Sequence, residues 1–249
     1  MPRNMDLVTA RDLAEVLDLS VETIWRYTRE GRIPHIKLGR KQYRYRVDDV
    51  TSSLIQEGSS QYAPKGALKL TYQDYLALPE EPGYRHEILD GILVKEPSPS
   101  VAHQRVTRRL LRILEDYFWE VDHAGEVFIA PLDVTFDDVS VVQPDLFYVC
   151  GEQQCIVKDA RVDGPPTLVV EVLSPSTNRR DRLQKLRIYQ NAGVQHYWLA
   201  DPGEKTLECF SLLDGLYSLV TAGMNEELME HPEFQGLSVA LGDLWRGAM

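Results

Sequence analysis

Two short stretches decide the fold: Gln143-Pro144-Asp145-Leu146-Phe147-Tyr148-Val149 and Thr167-Leu168-Val169-Val170-Glu171-Val172-Leu173. Each is a strand-length apolar run without the polar alternation of a half-exposed strand, so both read as strands buried on two faces. Each also carries one carboxylate where charge is costly without a partner. If the strands are neighbours, Asp145 and Glu171 converge. At ~4 Å their repulsion is about 4 kcal/mol in an effective dielectric of 20, so something positive belongs between them. A divalent metal bound by oxygen ligands is one solution; Lys, Arg or backbone amides holding each carboxylate separately is the other. Lys185 lies one turn after Asp181 on the segment that follows the Glu171 strand, placed to reach back to the strand end. Two carboxylates, a divalent ion and a lysine suffice for phosphodiester hydrolysis, the metal lowering the pKa of water and the lysine positioning or helping to activate it.

Working outward, Asp181 to Ala192 reads as a helix closed by Gly193, Gln195 to Ala200 as another strand, and Asp214-Gly215 as a hairpin turn. Upstream, Thr71 to Leu78 is a short helix. Tyr84 to Glu96 alternates around Asp90-Gly91, a two-residue hairpin signal. After Pro97-Ser98-Pro99-Ser100 comes a long helix, Ala102 to Val121, with Val106, Leu110, Ile113, Leu114 and Tyr117 on its core face. Arg105, Arg108, Arg109 and Arg112 share another face, either simply solvated or able to hold a nucleic-acid strand. A strand is expected over Val127–Thr135. Tyr189, His196, Tyr197 and Trp198 read as core. The region is α/β with mixed strand directions.

The first sixty residues differ in charge. They hold ten Lys/Arg against nine Asp/Glu, whereas the remainder holds 17 against 29. Arg26 to Arg46 alone carries eight basic residues (Arg26, Arg29, Arg32, Lys37, Arg40, Lys41, Arg44, Arg46) against Glu30. A compact basic segment on a chain of net charge −11 is a footprint for a polyanion. Thr9 can cap a helix with Leu13, Val16 and Leu17 inward. A tight turn follows, and Ser20 caps a second helix with Val21, Ile24 and Tyr27 inward. That leaves Glu22, Thr23, Arg26 and Arg29 outward to meet base edges and phosphates. Gly31 ends the helix, Gly39 turns a two-stranded wing that sets Lys37, Arg40, Lys41 and Arg44 along a phosphate backbone, and Val47–Ile55 reads as a third helix. Through Thr9-Ala-x-Asp-Leu-Ala, Ser20-x-x-Thr23-Ile-x-Arg26, Gly31-x-Ile-Pro34 and Leu38-Gly39-Arg40, residues 6 to about 56 resemble the excisionase-like and MerR-like winged helix-turn-helix family. No heptad helix follows, as a MerR-type dimeric regulator would require. Four phosphate contacts at ~0.9 each imply a log–log salt slope of about −3.6.

The expected division is a winged helix-turn-helix over residues 1–57, a linker over 58–67 (Gly58-Ser59-Ser60 to Pro64-Lys65-Gly66) and a larger domain over 68–249. No apolar run approaches the ~18 residues of a membrane span, and the start lacks a secretory signal. Cys150, Cys155 and Cys209 lack zinc spacing and read as reduced thiols of a cytoplasmic protein.

The larger domain, over roughly residues 70 to 246, resembles the Uma-type endonucleases of the PD-(D/E)XK restriction-endonuclease-like superfamily. The likeness rests on Pro144-Asp145, Val170-Glu171-Val172-Leu173-Ser174-Pro175-Ser176-Thr177, Asp181-x-x-x-Lys185-x-x-x-Tyr189 and Gly193-Val194-x-x-Tyr197-Trp198-x-x-Asp201-Pro202, with Glu87-Ile-Leu-Asp90-Gly91 and Pro97-Ser98-Pro99-Ser100-x-x-His103. It implies a mixed β-sheet core with flanking helices, Asp145 and Glu171 as ligands to Mg²⁺ or Mn²⁺, Glu87 as a further acidic residue, and His103 either touching the substrate phosphate or capping its helix. The superfamily pattern places lysine two residues after the glutamate, where this chain has Leu173; the resemblance makes Lys185 its migrated replacement. Ser174 either orients Glu171 or shapes the Pro175 turn.

These readings converge on a metal-dependent DNA endonuclease, a phosphodiester hydrolase with no small-molecule cofactor, targeted by its helix-turn-helix. It would be a homodimer if it cuts both strands at one site. The alternative is a non-catalytic DNA-binding regulator or excisionase-like factor whose nuclease-like domain serves oligomerisation; a nuclease acting on RNA or single strands is a third.

Overall fold

A computed structural model describes residues 7–17, 19–29, 33–39, 42–47, 50, 69–79, 81–174 and 181–247. Its contacts divide the chain into two units, residues 1–67 and 68–249.

In the first unit, helix α1 (Ala10–Val16) follows a reciprocal cap: the Thr9 N–H donates to Asp12 Oδ2 at 3.0 Å and the Asp12 N–H to Thr9 Oγ1 at 3.3 Å. Helix α2 (Val21–Arg29) is capped by Ser20 Oγ, which accepts the Thr23 N–H at 3.1 Å. The strands β1 (Ile36–Gly39) and β2 (Gln42–Arg44) pair antiparallel as the wing. Ala10, Leu13, Ala14, Ile24, Ile33, Tyr45 and Val50 form the core. Val16, expected inward, is 60% exposed, because on so short a helix the buried face runs through residues 10, 13 and 14. Thr28 is buried instead. Its hydroxyl bonds Ile24 O at 2.7 Å and Tyr45 Oη at 2.8 Å, tying α2 to the end of the wing. Gly31, Arg40, Lys41 and most of the expected third helix lie outside the described residues.

The second unit opens with α3 (Tyr72–Leu76), capped by Thr71. A hairpin follows, β3 (Tyr84–Leu89) and β4 (Ile92–Pro97). Asp90 (φ 54°) and Gly91 (φ 85°) turn it, the left-handed pair that a two-residue hairpin loop demands. Helix α4 spans Val101–Val121. Then come β5 (Glu126–Ile129), β6 (Asp133–Asp137), β7 (Ser140–Val142), β8 (Leu146–Val149), β9 (Arg161–Asp163) and β10 (Leu168–Val172). One π turn, Asp181–Lys185, leads into α5 (Leu186–Ala192), which Gly193 closes in the left-handed conformation. The chain ends with β11 (His196–Asp201), β12 (Thr206–Leu213), β13 (Leu216–Met224), β14 (Leu228–Glu230), β15 (Ser238–Ala240) and α6 (Leu241–Trp245).

Among the described residues the larger sheet runs β13-β12-β11-β10-β8-β5 and a second runs β4-β3-β7-β6-β9, while β14 and β15 form a small ribbon. The strands β8 and β10 are antiparallel neighbours and β10 and β11 parallel ones. Helix α4 covers one face of the central strands, where Val106, Leu110 and Leu114 meet Leu146, Leu168, Val170 and Trp198. The other face, carrying Phe147, Val149, Val169, Tyr197 and Leu199, packs on Ile188 and Tyr189 of α5 and on Val134 and Val142 of the second sheet. Burial on both sides is why these strands read as unbroken apolar runs. The expected strand over Val127–Thr135 is two strands in different sheets: Pro131, lacking an N–H for a ladder, stands where the chain passes from one to the other.

Candidate active site

The β8–β10 register pairs Val170 with Leu146, so the next pair brings Glu171 beside Asp145 where β8 begins. Both are buried, as are Glu87, His103 and Lys185. All five were expected at the site from the sequence, and the fold gathers them.

Lys185 ends the π turn, a widened helical turn of a kind found at functional sites. Its Nζ lies 2.9 Å from Glu87 Oε1 and 3.0 Å from Glu171 Oε1. Tyr189, four residues on and therefore on the same side of the helix, donates its hydroxyl to Glu171 Oε1 at 2.6 Å. Burial, then Glu171 and Glu87, push the Tyr189 phenol well above its ordinary range, which keeps it a donor. Glu87 Oε1 also accepts the Gln143 N–H at 2.8 Å, joining β3 to the segment before Asp145.

Asp145 is held from three sides. Its Oδ2 accepts from His103 Nε2 at 2.9 Å and from the Val172 N–H at 2.9 Å; its Oδ1 accepts from Arg85 Nη1 at 3.2 Å. Burial would raise this carboxyl, but His103, Arg85 and the Val172 amide more than reverse that and leave it below the usual range. His103 stands in the first turn of α4, where Ser100 Oγ accepts its N–H at 3.2 Å. Its Nδ1 is 3.3 Å from Thr107 Oγ1. The imidazole therefore faces Asp145, while the helix cap belongs to Ser100. Burial opposes the charge on Arg85, yet Asp145, Glu87 and Glu171 together hold that guanidinium charged above its usual range.

Sequence reasoning missed Arg85 and its cross-strand partner Glu96, a buried carboxylate on β4. The available signal was spacing, since Arg85 stands two residues before Glu87 and so shares its face of the strand. Of the two arrangements open for Asp145 and Glu171, side chains hold each carboxylate separately: Arg85, His103 and the Val172 amide hold the first, Lys185 and Tyr189 the second.

The donor chemistry nevertheless suits a hard divalent ion. Asp145 and Glu171 offer carboxylate oxygens from adjoining strands, and Glu87 Oε2 is buried without a hydrogen-bond partner among the described residues. Such an ion would rest on that carboxylate pair. Among the described residues, no group of three or more His, Cys, Asp or Glu side chains is placed to hold a metal.

Asp145 is reached from outside through a cavity of about 310 Å³, lined by Tyr84, Arg85, Ser98, His103, Gln104 and Asp145 among others. In the first unit, Glu22, Arg26, Arg29 and Lys37 are exposed, and Thr23 and Arg44 half-buried. Thr23 bonds Ser20 Oγ at 2.9 Å, and Arg44 donates to Tyr43 O at 3.0 Å. Trp25 meets Tyr43 edge-on at 5.8 Å, packing the helix against the wing.

A mixed sheet that brings two acids and a lysine together at adjoining strand ends, preceded by a helix-turn-helix module, defines a restriction-endonuclease-like protein. Residues 72–242 match the family described as Uma2, "putative restriction endonuclease", and residues 7–54 match a helix-turn-helix domain. The chain belongs to the Uma2 family. It is 28% identical over 185 residues to the uncharacterized protein slr1290 of Synechocystis sp. (strain ATCC 27184 / PCC 6803 / Kazusa), covering 72% of this chain and 93% of that protein. It is 26% identical over 160 residues to sll1609 of the same organism, covering 63% of this chain and 89% of that one. A crystal structure from Anabaena variabilis ATCC 29413, described as a "putative nuclease belonging to DUF820", shares the fold with a TM-score of 0.58 at 19% identity, over 72% of this chain and 99% of the other.

Proposed function

We propose that this protein is a metal-dependent DNA endonuclease, a hydrolase of phosphodiester bonds. Residues 1–57 capture duplex DNA, 58–67 link, and 68–249 cut. The observation that carries this reading is the reach of the buried Asp145 carboxylate to an open cavity, while the Val172 amide ties it to the strand bearing Glu171 and Lys185 holds Glu171 in place. A backbone phosphate entering that cavity meets Arg85 and His103 first. Arg85 bonds a non-bridging oxygen, exchanging one anionic partner for another. His103, with Nε2 on Asp145 and Nδ1 beside Thr107, holds the Asp145 carboxylate in place at the cavity wall. Lys185, locked between Glu87 and Glu171, fixes both carboxylates and offsets one of their two charges. Mg²⁺ or Mn²⁺ held by Asp145 and Glu171 would supply Lewis acidity toward the phosphoryl oxygens, worth several kcal/mol of barrier. At the winged module, Glu22, Thr23, Arg26 and Arg29 face the major groove, and Lys37, Arg40, Lys41 and Arg44 face phosphates. On this reading the protein works in the cytoplasm as a homodimer whose two-fold axis matches the duplex. Among the described residues no helix is long and apolar enough to cross a membrane.

Incubation with supercoiled plasmid and Mg²⁺ or Mn²⁺ tests the proposal. The wild-type chain nicks the plasmid, whereas Asp145→Ala and Lys185→Ala do not; nicking that survives the Asp145 change refutes the mechanism. One observation favours the regulator instead, namely that Arg85 and His103 already occupy Asp145 and Lys185 already occupies Glu87 and Glu171. Retardation of DNA without cleavage under any metal would support it.

A further inference from the structure

Helix α4 runs against its own dipole. Its first twelve residues carry Arg105, Arg108, Arg109 and Arg112, and its last two turns carry Glu115, Asp116 and Glu120; the first turn holds no acid and the last no base. A helix stabilised for itself places these charges the other way round, because its N-terminus is the positive end. Two of the arginines have a structural occupation. Arg109 Nη1 donates to Leu244 O at 2.9 Å, and Arg105 donates to Gly247 O, so both satisfy carbonyls at the end of α6. The other two do not. Arg108 is exposed and has no hydrogen bond or ion pair among the described residues. Arg112 is 82% exposed, and among the described residues its one ion pair is with its helix neighbour Asp116, at 3.6 Å.

Gln104, Arg108 and Arg112 follow one another at four-residue steps, about 6 Å apart along the axis, and so form one ridge. The ridge starts at Gln104, in the wall of the cavity that opens on Asp145. It ends at Arg112, in the wall of a second cavity of about 440 Å³ lined also by Arg109, Ser238, Asp243 and Arg246. Arg246 is 78% exposed and pairs with Asp243. This basic ridge stands on the part of the chain with 17 basic and 29 acidic residues, which otherwise repels polyanions.

We propose that α4 is the track of the nucleic-acid backbone next to the site, with Arg108 and Arg112 each holding one phosphate of the strand whose neighbouring phosphate lies in the Asp145 cavity. The position of that last phosphate rests on the endonuclease reading; the binding along α4 does not.

The test is the salt dependence of binding of the full chain to a short DNA duplex without added divalent metal. Compared are wild type, R108Q/R112Q and R108K/R112K, each checked by thermal melting. Losing two phosphate contacts lowers the log–log slope by about 1.8 at ~0.9 per contact. R108Q/R112Q shows that loss with an unchanged melting temperature, because both side chains are exposed, and R108K/R112K keeps the wild-type slope. A slope unchanged in R108Q/R112Q, or lost equally in the lysine variant, overturns the track. A slope lowered in R108Q/R112Q, together with a wild-type chain that never nicks plasmid, leaves the track standing and removes the endonuclease.

Discussion

The two units handle charge in opposite ways. In the winged module the basic groups sit outside a small apolar core; Arg26, Arg29 and Lys37 are exposed and keep their hydration. In the nuclease-like unit one charged cluster is inside, where Glu87, Asp145, Glu171 and Lys185 are each no more than 2% exposed; Lys185 holds Glu87 and Glu171, while Arg85 and His103 hold Asp145. Exposed cations attract a polyanion at almost no folding cost and act through salt-sensitive contacts. Buried charges cost several kcal/mol each to desolvate, and what they gain is fixed geometry. On the proposed function, burial separates capture from chemistry.

The sharpest way to break this contrast is to unbalance the interior. Lys185→Met leaves Glu87 and Glu171 buried without their cation, so it should destabilise the second unit by about 3–5 kcal/mol, read from the denaturant midpoint. A loss below 1 kcal/mol would mean that water reaches these carboxylates.

A smaller interior effect concerns His231, whose Nδ1 accepts the N–H groups of Glu233 at 3.2 Å and Phe234 at 3.1 Å and so must be unprotonated. Burial, with His196 adding to it, lowers this imidazole to about 4. The unfolded chain takes up its proton near 6.5, so it binds more protons than the folded chain between about 6.5 and 4, and stability falls as pH drops through that window. His231→Asn, whose amide oxygen can accept the same N–H groups, should flatten that part of the curve of urea midpoint against pH. An unaltered curve would contradict the assignment.

The smallest stability effect belongs to the exterior. Arg26→Gln with Arg29→Gln should change stability by no more than about 0.5 kcal/mol while weakening duplex binding and lowering its salt slope. A melting shift of several degrees would show that these side chains hold the module together.

Where the sequence was legible, one local cause acted alone. The strands β8 and β10 were readable because both faces are buried, the β3–β4 turn because Asp90-Gly91 favours one backbone geometry, and the end of α5 because Gly193 is needed there. Asp145, Glu171 and Lys185 stood out as charges in apolar or helical context, whereas Glu87 and His103 were reached only through family resemblance. Glu96 was not legible, and Arg85 only through its spacing from Glu87. On an alternating strand each passes for an outward polar residue, and only the packing of that hairpin beside Asp145 gives them their setting. The same limit applies to the break between β5 and β6, because the chain's change of sheet is a tertiary event, and to Val16, whose helix is too short for periodicity to fix its face.

The measurement that bears most directly on the account is the rate of plasmid nicking by Glu171→Gln beside wild type in Mg²⁺ or Mn²⁺. This substitution preserves the shape of the side chain and removes its charge. The expected result is a folded protein that still binds duplex DNA and no longer nicks it. Nicking at the wild-type rate by the folded variant would show that the buried carboxylates between β8 and β10 are not where phosphodiesters are cut.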